Sequence, residues 1–106
     1  MVKPKNDYIL GKDYTIKWQP FPEMEDHGTC NTDYATVRIN TSFSLQQQRD
    51  SLLHESLHGM FNETGMGFDI DKGDTITEEQ LIRRLTPVLL LWLRTNPDII
   101  DFLLGE

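Results

Sequence analysis

SLQQQRDSLLHESLHGMFNE, residues 44–63, carries the sharpest signal in the chain. Ser44 followed three positions later by Gln47 predicts an N-cap and a capping box. From Leu45 onward nothing breaks a helix until the Gly65/Gly67 region. Leu45, Leu52, Leu53, Leu57, Met60 and Phe61 then fall on one broad apolar face. At its edge lie His54 and His58, four residues apart and so one turn along the same side, with Glu55 just past His58. Two imidazoles so spaced can reach one metal ion, and the intervening acid can act as a base on water. A zinc hydrolase needs that set: neutral nitrogen ligands, an open coordination position and a nearby proton acceptor. The plainer reading is a pair of surface histidines on an amphipathic helix.

Upstream, Asp7–Leu10 and Tyr14–Trp18 are β-rich runs separated by Gly11-Lys12-Asp13, which predicts a hairpin. Pro20 and Pro22 end its second strand, residues 23–28 read as loop, and Asn31-Thr32-Asp33 reads as a turn. Ala35–Asn40 alternates with period two and predicts a third strand. Downstream, a glycine- and aspartate-rich loop covers Gly65–Asp74. Thr77-Glu78-Glu79-Gln80 is a second capping box, opening a helix to about Arg94 with Leu81, Ile82, Leu85, Val88, Leu89, Trp92 and Leu93 in one apolar stripe. Pro87 lies on the polar side of that helix and predicts a kink, not a stop. Asn96-Pro97-Asp98 starts a short final helix. The expected class is α+β: a small antiparallel sheet, a hairpin plus one strand, packed with the histidine helix, a second long helix and a short C-terminal one.

One domain of 106 residues accommodates all of this. The hydrophobic share of 38% with 25% charged residues is that of a globular chain. Its longest apolar run, Val88–Leu93, falls far short of the ~20 residues that span a bilayer. The basic start Met1–Asp7 lacks the apolar stretch of a signal peptide, so a cytoplasmic location is expected. Ten basic residues against seventeen acidic ones leave a net charge of −7, which repels phosphate backbones and argues against nucleic acid as a partner. The single cysteine, Cys30, excludes an internal disulfide and fits a reducing compartment.

A catalytic zinc needs a third protein ligand. His27, Cys30, the aspartates between 69 and 74, Glu78 and Glu79 are candidates. The run Asp69-x-Asp71-x-Gly73-Asp74 resembles a calcium loop, but its glycine is misplaced and Gln80 stands where a twelfth-position acid belongs. On a helical wheel Glu78 falls at the centre of the apolar stripe and Glu79 at its edge. An edge carboxylate reaches a metal between two packed helices without crossing the core, which slightly favours Glu79. The competing roles are a surface pair of Glu79 with Arg83, and charge stabilisation of the helix start by Glu78.

Leu52–His58, then Glu79-Gln80-Leu81-Ile82, Arg84-Leu85-Thr86 and Asn96-Pro97, together resemble the ImmA/IrrE-like zinc metallopeptidases, particularly their small phage- and prophage-encoded forms. The similarity runs over nearly the whole chain from Leu10-Gly11-Lys12, and only His-Glu-x-x-His within it is sharply diagnostic. Thr86 stands where alanine is usual. The resemblance implies a zincin-like fold, Zn²⁺ held by His54, His58 and Glu79, and Glu55 as general base in peptide-bond hydrolysis. It further implies a protein or peptide substrate, with host or phage regulatory proteins among the candidates. For an oxyanion donor, Tyr34, His27 and Arg83 are open options. The strand 35–40, directly before the helix, is expected at a sheet edge where an extended peptide could pair. Two rival readings use the same sequence: a non-catalytic zinc-binding regulatory or structural phage protein, and a metal-free interaction module with an acidic surface.

Overall fold

The computed structural model describes residues 2–71, 73 and 75–105. It is an α+β structure with a four-stranded sheet, three longer helices and a short one. Strands β1 (Asn6–Ile9) and β2 (Lys12–Gln19) form the expected hairpin. Its turn is tighter than expected: only Leu10 and Gly11 lie between the strands, at φ 49° and 78°. Positive φ at both central residues matches the right-handed twist of paired strands, and glycine takes it without strain.

Two expectations for the sheet are corrected. Gly28 and Asn31, expected in a loop and in a turn, are instead the two ends of β3 (Gly28–Asn31), antiparallel to β4 (Thr36–Asn40). β4 also pairs with β2 in parallel, so the sheet is mixed and ordered β1-β2-β4-β3. The strand expected at the edge is therefore interior, with Val37 and Ile39 fully buried. β3 takes the edge instead. Gly-Thr-Cys-Asn has no hydrophobic alternation to announce a strand; backbone pairing to β4 makes it one. At the turn between them Asn31 Oδ1 accepts from the amides of Asp33 and Tyr34, both at 3.1 Å. At the opposite edge, Asn96 accepts from the Tyr8 amide at 2.8 Å and donates to the Tyr8 carbonyl at 2.9 Å, covering β1.

Helix α1 spans Leu45–Glu63, and Ser44 accepts from the Gln47 amide as its N-cap. The return bond of a capping box is replaced: the Gln47 side chain donates to Ser51. The buried face is Gln48, Ser51, Leu52, Glu55, Ser56, Gly59 and Met60, rotated from the expected apolar stripe. Packing on the sheet imposes this rotation. A Cβ on Gly59 would stand 2.6 Å from Ile9 Cδ1, so a larger residue there would force the buried Ile9 side chain to shift. Leu53 is left 39% exposed.

The region expected as a loop contains a short helix, α2 (Met66–Asp71), anchored by fully buried Met66. α3 (Glu78–Thr95) carries the full Thr77/Gln80 capping box and runs through Pro87. α4 (Pro97–Leu104) follows Asn96 and packs Phe102 edge-on against Trp18, centroids 5.2 Å apart. The core joins Ile9, Tyr14, Val37, Ile39, Leu52, Met60, Trp92, Ile99 and Phe102. Among the described residues no helix is long and apolar enough to cross a membrane.

Candidate metal centre

His54 and His58 stand on the exposed shoulder of α1 with ring centroids 4.9 Å apart and planes at 73°. Two imidazoles on one tetrahedral Zn²⁺, at about 2.1 Å per Zn–N bond, have centroids roughly 5 Å apart. The spacing and donor chemistry therefore fit. Glu55 takes a different position from the one its wheel angle suggests. It is 92% buried by its 8% exposure, beneath the histidines and against β3, with Oε2 4.0 Å from His54 Nε2. No hydrogen bond reaches its carboxylate from the described residues. Burial raises its pKa, the two histidines oppose that, and Asp26 adds to it. A carboxylate so placed is a stronger proton acceptor than one in water.

Glu55 owes its position to Gly28. A Cβ there would meet Glu55 Cγ at 3.1 Å and the Arg38 carbonyl at 3.2 Å. Since the carbonyl belongs to the sheet, it cannot yield. Gly28→Val should destabilise the fold by about 1–3 kcal/mol through overpacking and displace Glu55. Urea unfolding measures the first effect, and an unchanged midpoint would show that the contact is not tight.

A cleft of about 330 Å³ opens over this carboxylate, lined by Asp26, His27, Gly28, Ser51, His54 and Glu55 among others. On the far side of His54 lies a second, apolar hollow of about 210 Å³ between Leu57, Phe61 and the two histidines. His54 thus stands between a polar and an apolar depression, and His58 lines the apolar one.

The other candidate ligands lie elsewhere. Glu79 is exposed and paired with Arg83 at 3.5 Å, the plain surface role weighed for it. Glu78, next to it in the first turn of α3, is exposed as well. Asp69 pairs with Arg84 at 2.8 Å, while Asp74 and the Asp71 side chain lie outside the described residues. Cys30 is half-buried on β3, and burial first, then Glu55, Asp7 and Glu63, push its thiol up to about 11, so the free side chain is a thiol at neutral pH. Among the described residues no three of His, Cys, Asp and Glu converge as a metal-binding group.

Two contributors escaped sequence reasoning. Asp7 is fully buried, accepts from Ser56 Oγ and, at 2.7 Å, from Trp92 Nε1, and so joins β1, α1 and α3. Asn40 is also buried and donates to the carbonyls of Met24 and Asp26, while its own amide donates to that of His27. Neither residue stood out, because a lone polar residue in a strand pattern does not reveal its distant partners. Comparison with known protein families, curated proteins and solved structures returned no match.

Proposed function

We propose that this chain is a zinc-dependent metallopeptidase of the ImmA/IrrE-like kind, acting in a cytoplasmic, phage- or prophage-related setting on a protein or peptide. The observation that carries the reading is a solvent-open histidine pair beside a largely buried Glu55, whose carboxylate accepts no hydrogen bond from the described residues and opens into a cleft. A structural metal site has no use for such a carboxylate. His54 and His58 would hold Zn²⁺, which when bound supplies Lewis acidity toward a carbonyl and acidifies water. Glu55 takes the proton from the attacking water as its oxygen adds to the peptide carbonyl carbon. It returns that proton to the amine nitrogen as the C–N bond breaks.

The third ligand belongs to the first turn of α3. Resemblance implies Glu79, and Glu78 beside it is the alternative; both are exposed. Zinc affinity of the Glu79→Ala and Glu78→Ala proteins separates them: loss of the true ligand should weaken binding by at least about 100-fold, more than typical losses from outer-shell changes. No effect from either substitution would remove α3 from the site.

The test of function is zinc content followed by cleavage of a mixed peptide library. Protein purified without added zinc should hold about one equivalent and lose it to chelator. The second reading, a non-catalytic zinc-binding regulatory or structural protein, draws on Glu79 facing solvent beside Arg83. Bound zinc without cleavage of any peptide would favour that reading.

A further inference from the structure

Hydrolysis through Glu55 places negative charge on the carbonyl oxygen under attack, and a donor facing that oxygen would lower the barrier. Of the three side chains open for the role, two are badly placed. Neither Tyr34, in the β3–β4 turn, nor Arg83, engaged with Glu79 on α3, lines the cleft over Glu55. His27 lines the cleft that holds His54 and Glu55.

We propose that His27 is a catalytic hydrogen-bond donor to the carbonyl oxygen of the bond being cleaved, an inference that rests on the peptidase reading. Its backbone is fixed by Asn40, whose amide donates to the His27 carbonyl at 3.0 Å and whose side chain holds the carbonyls of Met24 and Asp26 at 2.9 and 3.1 Å. Its ring is stacked on Phe43, centroids 4.1 Å apart at 37°. The next residue, Gly28, is the one that touches Glu55, so one peptide unit links the donor to the wall behind the base. Among the described residues no group accepts a hydrogen bond from the His27 ring. The ring is exposed to solvent and lies against Phe43, so its N–H can turn to a ligand atom in the cleft without giving up a hydrogen bond to the described residues.

His27→Phe keeps a ring against Phe43 and removes the donor, and His27→Gln restores a donor without the ring. On a library peptide that the wild type cleaves, His27→Phe should lower kcat by about 100-fold with KM and zinc content little changed. His27→Gln should recover part of the loss. An N-phosphoryl dipeptide, whose tetrahedral oxygens mimic the attacked carbonyl, should bind the Phe variant weaker by a similar factor, while the unphosphorylated dipeptide binds both alike. A Phe variant with wild-type kcat overturns the assignment. If the zinc-loaded wild type cleaves nothing, the peptidase reading fails by itself. The N-phosphoryl dipeptide then judges His27 separately, and equal binding to wild type and Phe variant overturns its donor role.

Discussion

Glu55→Gln should lower peptide cleavage by about 10²–10⁴-fold, the range removed when a positioned general base is lost. Zinc should stay bound, because Glu55 lies beneath the histidines and is not needed to hold the ion. Folding should not suffer either. Burial has raised the pKa of Glu55, so its charged form costs stability and a neutral amide of the same shape removes that cost. The variant is therefore expected to be at least as stable as the parent, zinc-replete and inactive. Paired measurements of metal content, urea midpoint and turnover check all three. Retained activity in a zinc-loaded Glu55→Gln protein would remove Glu55 from the mechanism.

Asp7→Ala is expected to produce the largest loss of stability, about 3–5 kcal/mol, because it strands two buried donors at once. Ser56 Oγ and Trp92 Nε1 both donate to this carboxylate, and neither donates to another of the described residues. A typical domain is stable by only about 5–15 kcal/mol, so the variant should populate unfolded chains near room temperature. Asp7→Asn should cost far less, since its amide can accept from Trp92 and donate to Ser56. The pair of variants thus separates loss of hydrogen bonding from loss of charge. A pH dependence follows from the sign of the shift. Burial raises the Asp7 pKa above 3.8, against the lowering influence of Ser56 and Trp92. The folded protein then keeps its proton after the unfolded chain has released it. Stability falls as pH rises from 3.8 until the folded carboxyl has ionised, so Asp7→Asn should gain on the wild type across that window. Urea melts at several pH values measure the difference, and a constant gap would show that Asp7 does not titrate differently in the two states.

Ser56 gives this second prediction a bearing on the site. It lies between Glu55 and His58, and its bond to Asp7 fixes the rotation of α1 about its axis. That rotation carries Glu55 inward and leaves His54 and His58 outside. A helical wheel weighs only hydrophobicity, and on that measure Leu53 and Leu57 belong inside while Glu55 does not. The packed helix reverses this for Leu53 and Glu55 because Gly59 meets Ile9 and Gly28 meets Glu55, two close approaches that larger residues would prevent.

Local chemistry in the sequence determined where α1 and α3 begin, the hairpin, the α+β class, and the spacing that puts two imidazoles on one side of α1. Each follows from interactions between residues a few positions apart: Ser44 with Gln47, Thr77 with Gln80, Leu10 with Gly11. Tertiary structure alone decided that β3 is a strand, that β4 is interior and parallel to β2, that Glu55 is buried, and that His27 shares its cleft. Those outcomes depend on partners distant in the chain, such as Asp7 with Trp92 or Asn40 with the 24–27 segment, and no short-range pattern encodes them.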